Sequence, residues 1–159
     1  MTFIKNIKQK PFFDLILVIL IIVFDQITKY LLMKDVGLNN TKAFLPGIVE
    51  FTLVTNTGGA FSLFKEFPWF FKLIGIINIL IFSYLTFCPT VKFKNLMKTG
   101  FACILGGTMG NLIDRFFRGG VIDFINLQFM NFAIFNVADI SIDIGVGLLF
   151  IGWFLRDKK

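Results

Sequence analysis

The sequence predicts an all-α membrane protein: a four-transmembrane-helix bundle carrying a small sheet on its outward-facing loops. Three observations lead there. The 159-residue chain, long enough for a single domain, is 56% hydrophobic and only 16% charged, where a soluble domain carries about a quarter charged residues. Its mean hydropathy is +0.79. Four apolar stretches, approximately 12–33, 67–87, 97–113 and 137–155, would reach about 25–33 Å at about 1.5 Å per residue, close to the hydrocarbon core of a bilayer at about 30 Å.

The first span follows a basic start (Lys5, Lys8, Lys10) and contains the unbroken apolar run Leu15–Phe24. A basic start before an apolar run also describes a secretory signal peptide. No A-x-A-like cleavage site follows, and the run passes through Asp25-Gln26-Ile27-Thr28-Lys29 into further apolar residues, so it reads as a retained span. The second span is interrupted by Lys72, Asn78 and Ser83. The third holds Gly100, Gly106, Gly107 and Gly110. Small residues let helices approach closely in lipid, which places this span at the centre of the bundle. The outward loops, 34–66 and 114–136, carry two expected strands. Phe51–Thr55 alternates and is β-branched, with a turn at Gly58-Gly59, and Val121–Ile125 follows Gly119-Gly120. Trp69 and Trp153 suit interfacial anchors at the outer end of span two and the inner end of span four.

The net charge of +6 does not form a nucleic-acid patch, because the basic residues are dispersed in short clusters between spans. The amino terminus, the segment with Lys92, Lys94 and Lys98, and the terminal Arg156, Lys158 and Lys159 would share one side, while the alternate loops are balanced in charge. Excess Lys and Arg mark the cytoplasmic side, so both termini are expected there.

The chemistry is narrowed by what is missing. The chain has no histidine, which removes histidine-dependent nucleophiles and HExxH metal sites. Cys88 and Cys103 lack CxxC spacing and read as small buried hydrophobes, so neither metal nor cofactor is expected. Ionisable residues inside spans are costly and point to function. Here Asp25, Lys29, Asp139 and Asp143 converge with Asp114 and Asp123 on the outer third of the bundle, leaving Asp14 near the inner end. Asp25 and Lys29, at i,i+4, suit a structural charge pair, and Asp114-Arg115 suits a charged helix end. Arg115 could also order a neighbouring loop. Asn56, Asn111 and Asn136 sit beside glycine or at span boundaries, where they could cap, turn, or rim a site. Asp123 and Asp139 lack a local basic partner at helical spacing, and their separation permits two carboxylates to face each other across a cleft. Such a pair shares a proton, one member acting as base and the other as acid.

These residues resemble the lipoprotein signal peptidases, or type II signal peptidases. Asp25–Lys29 is similar to that family's DQxxK element and Asn56–Ser62 to its NxGAAFS element. Gly110–Arg115 matches GNxxDR, Gly120–Phe124 falls within GxVxDF and Phe135–Asp139 matches FNxAD, all in family order. The resemblance implies an aspartyl endopeptidase of the bacterial cytoplasmic membrane, with its active site at the outer face. Such enzymes remove the signal peptide from diacylglyceryl-modified prolipoproteins just before the lipidated cysteine, and globomycin inhibits them. It further implies a helical bundle with an outward β-cradle. Asp123 and Asp139 would be catalytic; Asn56, Asn111, Arg115 and Asn136 would support substrate and dyad; Asp25, Lys29 and Asp114 would be structural. The expected partners are lipid and prolipoprotein substrates, with the chain acting as a monomer. Gly59 stands where the family usually has alanine, and Asp143 where it usually has an uncharged residue. Lys29, judged to lie at a similar depth, is expected to neutralise Asp143; an unpaired Asp143 would instead perturb Asp139.

Three other readings compete. A carrier would need polar residues through the whole depth, yet the inner halves of spans two to four are almost wholly apolar. A Ser-Lys peptidase would use Ser62 or Ser141 with Lys29. An accessory membrane protein would lose abundance rather than activity on Asp substitution. No GxGD element of the presenilin-like class occurs.

Overall fold

The computed structural model describes residues 11–58, 67–89 and 94–155. The amino-terminal lysines, Gly59, Ser62, Lys65, Glu66, Lys92 and the terminal basic cluster lie outside the described residues. In chain order the elements are α1 (Pro11–Asp35), β1 (Thr41–Leu45), β2 (Val49–Asn56), α2 (Pro68–Phe87), α3 (Asn95–Phe117), β3 (Val121–Leu127) and α4 (Val137–Phe154).

The helices are inside out by the standard of a soluble protein. On α1 the buried residues are Asp14, Val18, Asp25 and Lys29, one helical face at spacings of four and seven. Phe12, Leu20, Phe24 and Leu31 are exposed. So many contiguous exposed apolar side chains suit lipid as the solvent. Among the described residues, three helices are long and apolar enough to cross a membrane: Pro11–Asp35, Trp69–Phe87 and Val137–Phe154.

The fourth helix, α3, has the length, at 23 residues, but a more polar composition. It packs against α1, α2 and α4, with Gly100 through Gly107 buried. This central place is set by its glycines. A Cβ on Gly145 would lie 2.6 Å from the Gly100 carbonyl oxygen, and one on Gly107 would strike the Ala138 carbonyl. The α3–α4 backbones therefore touch in a way that only glycine permits.

α3 also runs a turn beyond the boundary expected near residue 113. Asp114 and Arg115 belong to the helix, not to the following loop. The charged turn stays helical because Asp114 is paired with Arg118 at i,i+4 and with Lys29 across the bundle.

The sheet is antiparallel, in the order β1-β2-β3. β2 and β3 contain the two expected strands; β1 was not foreseen. It is a short, fully exposed edge strand without alternation. It follows α1 because Gly37, at φ 82°, ends that helix. It turns into β2 through Pro46-Gly47, with Gly47 at φ 74° and Ile48 N–H donating to the Leu45 carbonyl at 2.9 Å. After β3 the chain doubles back, so that Phe135 bridges Ile125. That return carries Asn136 and the start of α4 alongside β3.

Candidate active site

The return brings Asp123, on β3, and Asp139, in the first turn of α4, to one cavity of about 430 Å³. Asn56 and Asp143 also line it, and Leu127, Met130 and Phe132 through Phe135 form an apolar wall.

Asn136 is the hinge of the arrangement. Its side-chain oxygen accepts from Asp139 N–H at 3.0 Å, and its own backbone N–H donates to Asp139 Oδ2 at 3.1 Å, a reciprocal cap of α4. With the oxygen so engaged, the amide nitrogen faces the other way. It donates to Asp123 Oδ1 at 2.6 Å and to Asn111 Oδ1 at 3.1 Å. One buried residue thus binds both carboxylates. Asn111 donates in turn to Asp139 Oδ1 at 2.8 Å. Asn56, at the end of β2, accepts from Gly58 N–H at 3.0 Å and donates to Asp123 Oδ2 at 3.1 Å. The three asparagines are therefore bonded directly to the two aspartates.

Behind this layer lies a charge cluster with fully buried Asp25, Lys29 and Asp114. Lys29 Nζ lies 2.9 Å from Asp25 Oδ2 and 2.7 Å from Asp114 Oδ2, and donates to Asn111 Oδ1 at 3.2 Å. Asp25 Oδ1 accepts from Ala138 N–H at 3.0 Å, so a carboxylate of α1 caps α4. Asp114 also accepts from Ile122 N–H at 3.2 Å, which ties β3 to α3. Gly110 leaves room for Asp25: a Cβ there would lie 2.6 Å from its carboxylate.

Two expectations change. Lys29 is not the partner of Asp143; its ammonium is held between Asp25 and Asp114, while Asp143 is exposed in the cavity wall. Depth judged along the helices could not report which way the lysine turned. Asp114 is met by Lys29 and Arg118, not by Arg115. Arg115 Nη2 reaches the Gly58 carbonyl at 3.3 Å, and its guanidinium lies over the Phe71 ring. Gln26 and Arg118 are additions to the cluster: Gln26 donates to Asp25, Asp114 and the Gly110 carbonyl, and accepts from Arg118 at 2.9 Å. The i,i+4 spacing of Asp114 and Arg118 was the available signal. A Ser-Lys pair finds no support, since Lys29 is doubly salt-bridged and Ser141 donates to its own helix at the Val137 carbonyl. Ser62 lies outside the described residues.

Burial, followed by the neighbouring Asp139 charge, pushes the Asp123 carboxyl up to about 7; hydrogen bonds from Asn56 and Asn136 and the charge of Lys29 pull the other way. Near neutrality Asp123 is poised between its acid and its base forms.

A lipid-facing helical bundle with two such carboxylates at one cavity has the form of a membrane-embedded aspartic peptidase. Comparison with known proteins makes the class specific. The family model described as Signal peptidase (SPase) II matches residues 17–155, and the chain belongs to that family of peptidases. The lipoprotein signal peptidase of Lactobacillus johnsonii is 39% identical over 153 residues, covering 96% of this chain and 98% of its own. The protein of the same name from Nostoc punctiforme is 41% identical, with 83% of each chain covered. Two solved structures, described as bacterial membrane enzyme structures by the in meso method at 2.3 and 1.9 Å resolution, are also similar. They share 30% identity with this chain at TM-scores of 0.83 and 0.80, covering 92% and 91% of it and 91% and 94% of their own lengths.

Proposed function

We propose that this chain removes signal peptides from diacylglyceryl-modified prolipoproteins, cutting just before the lipidated cysteine with Asp123 and Asp139 as its catalytic pair. The observation that carries the residue assignment is the joint hold of Asn136 on both carboxylates at one cavity. Family membership supports the substrate class.

The roles divide by environment. Asp123 keeps its proton up to about pH 7, which leaves Asp139 to carry the pair's negative charge. Asp139 accepts two N–H bonds and sits at a helix amino terminus, both of which suit a carboxylate anion. Asp139 takes a proton from water as the water oxygen attacks the scissile carbonyl carbon. Asp123 gives its proton to the carbonyl oxygen. When the tetrahedral intermediate collapses, the C–N bond breaks, the leaving nitrogen takes the proton from Asp139, and Asp123 recovers one from the diol. No metal or cofactor is required.

In this reading all four helices span the bacterial cytoplasmic membrane as a single domain, α3 being shielded from lipid by the other three. Both termini are cytoplasmic and the cavity opens at the outer face, where water meets the scissile bond. The signal peptide and acyl chains remain in lipid beside the apolar wall, and the chain acts as a monomer.

The test is cleavage of a diacylglyceryl prolipoprotein by purified enzyme in detergent. Asp123→Asn and Asp139→Asn, at matched folded amounts, are each expected to reduce kcat by at least about 10³-fold, the scale of losing an acid–base group together with its electrostatic role. Full activity in either variant removes that residue from catalysis.

A further inference from the structure

The proposed chemistry leaves Asp143 unused. It lies on α4 four residues after Asp139, so the two carboxylates stack on one helical face about 5–6 Å apart along the axis. Both line the cavity. Asp139 is held by Asn111 and Asn136, whereas Asp143 is exposed and makes no hydrogen bond or ion pair among the described residues. Besides Asn56 and the three aspartates, the cavity is lined by apolar residues, Leu127, Met130, Phe132 and Ile134 among them. A carboxylate in a lipid-facing helix is costly unless it meets water, a partner or a ligand. It contributes nothing visible to the fold, so the bound substrate is the place to look for its partner.

We infer that Asp143 is a specificity-determining residue that receives a hydrogen-bond-donating side chain, hydroxyl or ammonium, on the signal-peptide side of the scissile bond. This rests on the peptidase reading above. The direction follows from the helix. α4 starts beside the catalytic pair and runs inward, so Asp143 is the deeper carboxylate. The substrate segment that runs inward from the scissile bond is the signal peptide. The acyl chains run inward too, but they carry no donor. A turn of helix, about 5.4 Å, matches roughly two residues of extended peptide at about 3.3 Å each. The residue read is therefore the second or third before the cysteine.

The experiment is a substrate panel. A diacylglyceryl prolipoprotein carries Ala, Ser or Lys singly at each of those two positions, and kcat/KM is measured for wild type, Asp143→Ala and Asp143→Asn, with melting temperature as a check on folding. The readout is the preference ratio within each enzyme. Wild type is expected to favour Ser or Lys over Ala at one position by about five- to tenfold, the scale of one charge-assisted hydrogen bond that stays partly wet. Asp143→Ala should bring both ratios to near one. Asp143→Asn, which keeps an acceptor oxygen but no charge, should keep part of the Ser preference and lose the Lys preference. A flat wild-type panel, or ratios unchanged in Asp143→Ala, overturns the assignment while leaving the peptidase reading intact. A wild type that cleaves no member of the panel overturns both.

Discussion

Asp123 and Asp139 carry the same side chain into two different settings. Asp123 projects from a strand into a buried pocket, and Asp139 caps a helix. The proposed chemistry assigns the proton to Asp123, and this has a consequence for stability. The folded Asp123 carboxyl titrates near 7 against an ordinary value of 3.8. Between those two values the folded chain keeps a proton that the unfolded chain has released. The stabilisation is complete below about pH 4 and is lost as pH rises through about 7. Melting of the wild type in detergent should therefore fall from pH 5 to pH 8 relative to Asp123→Asn, whose amide does not titrate. Parallel curves for the two proteins would contradict the assignment. Activity should fall over the same upper range, as the acid form of Asp123 disappears; because the pair is coupled, the apparent value belongs to both carboxylates.

At the scale of the element, α4 is positioned by its first turn and by its glycine contacts with α3. Gly107 admits the Ala138 carbonyl, and Ala138 directly precedes Asp139. Gly107→Ala should push the start of α4 away from α3, costing about 1–3 kcal/mol as an overpacking defect and lowering kcat because the turn that bears Asp139 moves with it. Gly147, on the same helix, has no neighbouring atom within 4 Å of an added Cβ. Gly147→Ala should leave melting temperature and kcat close to wild type. Equal losses in the two variants would mean that glycine content, rather than this contact, matters. β1 shows the limit of reading elements from sequence. Thr41–Leu45 has no hydrophobic alternation because neither face is buried, so the usual strand signal is absent.

At the scale of the whole molecule, Lys29 joins parts that are distant in sequence. Its ammonium bridges α1 to α3 through Asp114, and it supports Asn111 behind Asp123 and Asp139. Asp25 extends the same cluster to α4, and Asp114 to β3. Lys29→Met would leave two buried carboxylates without their cation. Breaking a buried pair in this way costs about 3–5 kcal/mol, so the expected outcome is a large drop in melting temperature and in membrane abundance. Restoration by Lys29→Met combined with Asp114→Asn, which removes one stranded charge, would identify charge compensation as the cause. An unchanged melting temperature in the single variant would show that the cluster is not what holds the helices together.

The sequence by itself determined the membrane class, because hydropathy, span length and charge clustering are local properties that lipid acts on directly. It also made the two strands next to the site legible, and the family motifs marked Asp123, Asp139 and the three asparagines as residues of one site. Only the tertiary structure decided who bonds to whom. That Lys29, already matched to Asp25 by its i,i+4 spacing, serves Asp114 instead of Asp143, and that Asn136 turns its oxygen to α4 and its nitrogen to Asp123, depends on side-chain direction and on the return of the chain along β3. Hydrogen bonds and ion pairs act over about 3 Å, and no periodicity along a chain specifies distances of that order between residues a hundred positions apart.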